Sequence, residues 1–280
     1  MESGFTGGAA YLYAGAYLGA ITVAAVWESA APLRASGAPL RLRWIGNFAV
    51  AAIDTVAIKA LVPLSAVAFA IVVGDRGWGV LNVISLPFWA AFALAILALD
   101  LGRYGFHRLH HHLPLLWRVH AVHHSDLDYD FTTAFRFHPI EALIGVAWTF
   151  ALIALLGPSV EAVIAVEILS AAASIAQHAN AKMPPAIDRL LRQVLITPDM
   201  HRVHHSARRE ETDSNFGTVF PFWDRLFGTY LHGPASGHKG MRIGLDEYRD
   251  ESCLTVRSML LQPFRTAPAE VAAITPRSGI

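Results

Sequence analysis

The chain has 280 residues, of which 54% are hydrophobic and only 16% charged, and its 22 Lys and Arg balance 22 Asp and Glu to a formal net charge of zero. A soluble domain carries about 25% charged residues, so this composition, with a mean hydropathy of +0.40, excludes a disordered chain and points to a membrane-embedded protein. Zero net charge argues against nucleic-acid binding, which needs surplus cations to neutralise phosphate, and the single cysteine, Cys253, excludes an internal disulfide framework and any CxxC metal or redox site.

Ser3 to Trp27 holds no charged side chain. A helix of about 20 apolar residues crosses ~30 Å of hydrocarbon, so a first span is predicted here. Met1 to Gly8 contains only Glu2 and no positive region, which reads as a retained span and not a cleaved leader. Gly15 and Gly19 have the spacing that lets helices approach closely, but in so Ala- and Gly-rich a stretch a lipid-facing surface is expected. Trp44 to Gly74 is apolar but interrupted by Asp54 and Lys59, which places the second span at Ala57 to Val73 with an interfacial lead-in. Gly77 to Leu99 is again uncharged and ends in Asp100-Leu-Gly-Arg103, a return to polar chemistry that predicts a third span leaving the bilayer. Ala142 to Val160 and Ala162 to Ala176 are broken by Gly157-Pro158-Ser159 and predict a helical hairpin, spanning or re-entrant.

Residues 177–261 are more polar, with Lys182, Arg189, Arg192, Arg202, Arg208 and Arg209, and predict a helical cap at the cytoplasmic surface. From Gln262 onward Pro263, Pro268 and Pro276 predict a loose tail. The expected organisation is an N-terminal transmembrane region (1–79), a main domain (80–261) and a flexible tail (262–280). Arg34, Arg41 and Arg43 crowd the first connection, whereas the N-terminal tail has no Lys or Arg and the next connection only Arg76. Positive connections stay in the cytoplasm, so the N-terminus is expected outside and both His-rich segments inside. The overall expectation is an all-α membrane bundle of four to five spans under a cytoplasmic cap that carries the His-rich segments.

The fourteen histidines are the anomaly. They recur as His107-Arg-Leu-His-His111, His120-Ala-Val-His123-His124 and His201-Arg-Val-His204-His205. Residues at i, i+3 and i+4 lie on one helix face, so each cluster is expected to present its imidazoles to a common point. Imidazole suits iron, zinc and copper; the clusters supply eight ligands and His178 a ninth, a number that fits two metals and not one. His110, His112, His232 and His238 are expected to be ordinary polar residues at the headgroup level. His138 fits three roles equally, a partner to a metal ligand, a channel residue or a structural hydrogen bonder.

Four blocks then resemble the fatty acid hydroxylase / sterol desaturase superfamily. They are Asp100-x6-His107-Arg108-x-x-His111; Leu116-Trp117-Arg118-x-His120-x-x-His123-His124-Ser125; Pro198-x-x-His201-x-Val-His204-His205-Ser206; and Asn215-Phe-Gly217 with Trp223-Asp224-Arg225-Leu-Phe-Gly228-Thr229. The resemblance covers residues 80–231. It implies an integral membrane enzyme with a non-haem pair of iron ions that uses O2 to hydroxylate or desaturate a lipid such as a sterol or fatty acyl chain. Some members carry a further histidine pair before the last cluster. Here His178 stands alone, with Asn180 close by as a candidate holder of metal-bound water.

Asp100, Asp126, Asp128, Asp199, Asp224 and Glu141 are candidates to hold the distal imidazole N–H groups, because metal-bound histidines usually donate to a carboxylate, carbonyl or water. Trp117, Phe216, Phe220, Phe222, Trp223 and Phe227 are expected to pack the cap onto the bilayer interface. The chain has no flavin or dinucleotide fingerprint and no haem or iron–sulfur motif, which implies a separate electron donor of ferredoxin or cytochrome type. Arg202, Arg208 and Arg209 would offer it a basic face, or else face anionic lipid. Two rivals stand beside this reading. A metal transporter would carry its ligands at mid-bilayer, and a zinc hydrolase would want a nearby general-base Glu, yet no His-Glu-x-x-His occurs.

Overall fold

The computed structural model describes residues 2–265. Among them all regular structure is helical, and the only β-pairing is two isolated bridges, Pro32 with Ala181 and Ser206 with Ile243. Four stretches are long and apolar enough to cross a membrane, Leu40–Val83, Phe88–His112, Pro139–Leu156 and Val160–Gln177. The first predicted span forms the 29-residue helix α1, Glu2–Ala30. A Cβ at Gly15 or Gly19 would meet nothing within 4 Å, so no helix uses that pair for close approach.

The second predicted span is not one helix. α2 runs Leu40–Leu61, and α3, Ala66–Asp75, begins only after a non-helical Val62 and the helix-breaking Pro63. Ser65 caps α3 by accepting from Ala68 N. The apolar lead-in from Trp44 is therefore helical. The third span starts later and ends later than the composition suggested. Gly77 to Pro87 holds a turn and the single-turn α4, Val80–Val83, whereas α5, Phe88–His112, passes through Asp100 without a break and ends where Leu113-Pro114 opens α6, Pro114–His124.

The hairpin appears as expected. α7, Pro139–Leu156, and α8, Val160–Gln177, are joined at Gly157, whose φ of +65 is a left-handed conformation open to glycine. A Cβ there would also lie 2.4 Å from the Trp78 carbonyl oxygen. The α7–α8 turn thus meets residue 78 at one end of the bundle. The other end carries the cap, because Glu28, near the end of α1, accepts from Phe131 N (2.7 Å) and Asn180 N (2.6 Å).

The cap is built from short helices. These are α9, Pro185–Leu191; α10, Pro198–His204; α11, Arg209–Thr212; α12, Phe222–Leu226; α13, Gly237–Gly240; and α14, Val256–Leu261. Each is at most seven residues and too short to hold itself together, so buried polar ties fix them. Gln262–Phe264 forms a further 3-10 turn with Gln262 accepting from Ser125 Oγ at 3.0 Å. The predicted loose tail therefore begins no earlier than Arg265, and residues 266–280 lie outside the described residues.

An ion network clamps the cap to α2. Arg43, 1% exposed, holds Asp126 through two hydrogen bonds (2.7 and 3.0 Å) and Asp130 through a third (2.5 Å). Asp126, buried as it is, is held down at about 2 by the Arg43 and Arg136 guanidiniums. Arg136 is fully buried and bonds Val122 O, Asn47 Oδ1, Ser125 Oγ and Cys253 O. Asp126 and Asp128 are thereby tied to Arg43 and Gly37 N and not to imidazoles. Removing one partner of a buried pair leaves its mate uncompensated at a cost of about 3–5 kcal/mol. Arg43→Ala should therefore lower the melting temperature of the detergent-solubilised protein sharply, and an unchanged melting curve would contradict the clamp.

Candidate metal centre

Nine buried or half-buried histidines converge where α5, α6, α8 and α10 meet under the cap. His107, His111, His120, His124 and His204 form one group, and His123, His178, His201 and His205 a second; within each, the nitrogens lie within 4.8 Å of one another. All nine singled out from the sequence are brought together. The clusters do not each face one point, however. Positions i and i+4 differ by only about 40° around a helix and i+3 swings about 60° the other way. His107/His111, His120/His124 and His201/His205 each stay together, whereas His123 and His204 cross to the other group.

The outer nitrogens are fixed by the fold. His107 Nδ1 lies 2.9 Å from Phe216 O, His123 Nδ1 3.2 Å from Arg136 O, His178 Nδ1 2.6 Å from Ser174 O, and His204 Nδ1 2.8 Å from Ser214 O. A carbonyl only accepts, so each of these four Nδ1 atoms carries the proton and each Nε2 presents a lone pair. His120 Nδ1 donates to Glu141 Oε1 (2.7 Å) and His111 Nδ1 faces Asp213 Oδ1 (3.3 Å). The candidate carboxylate Glu141 thus does hold an imidazole, and Asp213, which no sequence motif marked, holds another.

This arrangement tests whether a metal fits. His123 Nε2 and His178 Nε2 lie 3.3 Å apart, yet both are lone-pair atoms, so the contact is no hydrogen bond; a cation between them removes the repulsion. Nε2 of His107, His111 and His204 is buried with no partner. Imidazole nitrogens bound at about 2.1 Å lie at most about 4.2 Å apart across an ion, close to the spacing present. Burial, and then crowding by neighbouring imidazoles, pushes His123, His124, His201 and His205 well below the usual imidazole value, and burial brings His178 down to about 4. Neutral imidazole is the form that binds metal. The donor set fits two ions.

The other singled-out residues serve elsewhere. Asp100 accepts from Val219 N, Phe220 N and Trp223 Nε1, and Asp224 from Phe216 N, Gly217 N and Thr229 Oγ1. Neither touches a histidine; together they shape the loop whose Phe216 carbonyl holds His107. Gly217 is needed there because a Cβ would lie 2.8 Å from the Phe220 carbonyl oxygen, and Asn215, at φ +52, bonds Met200 O and Leu231 O at 2.9 Å. Asn180 is turned to the chain at residue 34, where its amide donates to Arg34 O (2.9 Å) and accepts from Arg34 N (3.2 Å). His138 caps α7, accepting from Ile140 N, and its Nε2 lies 3.2 Å from Leu260 O; of its three roles the structural one is observed. Asp199 pairs with Arg202, which is fully buried and so unavailable as a docking cation.

His110 departs from its expected headgroup role. It is fully buried, its Nδ1 is 2.8 Å from Phe106 O, and its Nε2 has no partner. Its place one turn beyond His107 was the available signal. Trp117 and Phe216 also sit deeper than expected, with ring centres 5.0 Å from His111. Five of the nine, His107, His120, His123, His178 and His201, line one cavity of about 360 Å³.

Residues 92–229 match the sequence profile of the fatty acid hydroxylase family. The chain is 34% identical to alkylglycerol monooxygenase of Homo sapiens over 55% of its own length and 34% of that protein. It is 33% identical to the ornithine lipid hydroxylase OlsE of Rhizobium tropici (50% of this chain, 42% of that one) and 30% identical to a cholesterol 25-hydroxylase-like protein of Danio rerio (55% and 58%). No solved structure matches. The chain belongs to the fatty acid hydroxylase / sterol desaturase superfamily, although it spans only about a third of the alkylglycerol monooxygenases it matches.

Hydrogen bonds to a charged acceptor are worth about 1.5–3 kcal/mol each. Asp224→Ala, which removes the acceptor for three donors, should destabilise the fold by at least ~2 kcal/mol and speed amide exchange across residues 213–220. Wild-type exchange there would show that Asp224 does not hold the loop.

Proposed function

We propose that this chain is a membrane-embedded, O2-dependent lipid hydroxylase whose nine converging histidines hold two iron ions. The observation that carries the reading is that both histidine groups open onto one cavity set among membrane-crossing helices. Imidazole suits iron, and an iron pair bound there supplies O2 activation and cleavage of an unactivated C–H bond. The named relatives are monooxygenases and hydroxylases of alkylglycerol, ornithine lipid and cholesterol, which supports oxygen insertion over desaturation. Domain limits of 80–261 for the catalytic part accord with the family match and with the cap residues Met241 and Ile243 packed on Tyr129.

The chain's own residues position and exclude. Carbonyls of Phe216, Arg136, Ser174 and Ser214 and the carboxylate of Glu141 hold five rings in the orientation that presents Nε2 inward. Phe137 stacks on His123 at 4.5 Å and keeps that side dry. The lipid enters from the bilayer, between helices whose outer faces are apolar. Electrons come from a separate ferredoxin- or cytochrome-type donor, which the exposed Arg208 and Arg209 would meet.

Orientation follows from the two ends of the bundle. Arg34, Arg41 and Arg43 share the cap's end, which is then cytoplasmic, and α1 starts outside. Cys253 is buried, so it cannot report on sidedness. A cysteine introduced as Arg208→Cys should react with an impermeant thiol reagent only after cells are opened; labelling of intact cells would reverse the assignment.

Expression in a lipid-rich host should yield a lipid bearing one added oxygen. His123→Ala, His124→Ala, His204→Ala and His205→Ala should each abolish that product while the protein still inserts. Glu141→Ala should lower it by ~10- to 100-fold, the scale for losing the group that orients a ligand, and exposed His232→Ala should leave it unchanged. Cluster variants that insert and keep wild-type product formation would sink the proposal.

A further inference from the structure

A second, smaller cavity lies deeper in the bundle than the histidine-lined one. It measures about 10 Å³, room for no more than one water, so it is no ligand site by itself. Leu99, Thr149, Leu152, Ile153, Val163 and Val166 line it, together with Arg103 and Glu167. The last two also line the histidine cavity and are the residues the two cavities share. Their side chains form an ion pair that bridges α5 and α8.

The order of residues along both helices makes this pair a partition. On α8, going away from the cap, His178, Ser174 and Ser170 line the larger cavity, Glu167 lines both, and Val166 and Val163 line the smaller. On α5 the same order runs His107 and Phe106, then Arg103, then Leu99. At 1.5 Å per residue, Arg103 stands about 6 Å along the axis from His107 and Glu167 about 16 Å from His178. The pair therefore closes the space at a depth between those two values. A tie between α5 and α8 needs no charge, because an apolar contact would join them without desolvating two ions. Ionisable side chains inside membrane-crossing helices are costly and mark function. A lipid that reached this pair could go deeper only by parting its charges inside the bundle.

Resting on the hydroxylase reading, we propose that the Arg103–Glu167 pair is the floor of the substrate site. It stops the part of the lipid that passes the histidines, and so decides which carbon comes to rest beside them. Trimming both side chains opens the floor toward Val163 and Val166 and lets the lipid slide deeper.

The test uses the full chain in nanodiscs, with a cysteine introduced on either side of the pair, N-ethylmaleimide as the reagent and hexadecylglycerol as the lipid probe. Ser170 and Val166 are both buried from outside, so each reports on its own cavity. Ser170→Cys should react whether the pair is intact or trimmed by Arg103→Ala with Glu167→Ala. Val166→Cys should react about tenfold or more faster in the trimmed protein, because behind an intact floor the reaction waits on local opening. Removing both partners leaves no lone charge; should that variant fail to fold, Arg103→Ala with Glu167→Leu meets the same condition and opens the same wall. Hexadecylglycerol should protect Ser170→Cys in both proteins and, in the trimmed one, Val166→Cys as well. Equal reactivity of Val166→Cys with and without the pair overturns the floor. So does a trimmed, folded protein in which the lipid protects Ser170→Cys and leaves Val166→Cys unprotected. Failure of the lipid to protect either cysteine, with Val166→Cys still exposed by trimming, contradicts the lipid cavity of the hydroxylase reading and leaves the partition standing.

Discussion

The architecture turns on a repulsion. Imidazole nitrogens whose protons are committed outward are forced to face one another inward, as His123 and His178 do at 3.3 Å. Lone pairs at that distance in a buried site are unfavourable by themselves, and the surrounding structure keeps them there. Carbonyls from three different segments accept from the Nδ1 atoms of His107, His123, His178 and His204, so none of these four rings can turn to relieve the contact without breaking a hydrogen bond elsewhere. A site strained in this way without a cation is pre-organised for one.

Holding that geometry falls to polar structure at the edge of the membrane. The histidine-bearing pieces α6 and α10 are short, and their stability is tertiary. Arg43 and Arg136 draw α2, the 126–136 segment and residue 253 into one buried network. Asp100 and Asp224 do the same for the 216–224 loop. The long helices supply the rigid frame, with Leu99, Ile153, Val163 and Val166 packed between α5, α7 and α8. The centre therefore sits where the apolar bundle ends and the polar cap begins, beside a cavity that reaches both.

Local periodicity made the converging histidines legible, and tertiary contact hid their grouping. The i, i+4 pairs could be read directly, but neighbours such as His123 and His124 point about 100° apart on a helix and so serve different groups. The carboxylates were less legible for the same reason: Asp100 meets residues 219–223 from more than a hundred positions away, and Asp213, which faces His111, has no motif around it. Asn180 looked like a candidate because it stands two residues from His178, yet its amide closes the chain onto Arg34. Helix limits failed where hydropathy and proline disagree: Pro63 breaks an apolar run, whereas α5 carries Asp100 through its middle because three donors satisfy it.

The most direct test of two histidine-ligated irons is elemental analysis of the purified, iron-supplied and fully folded chain. The account predicts about two iron atoms per chain, falling in the His123→Ala and His204→Ala variants. One metal per chain, none, or two zinc in place of iron would contradict it.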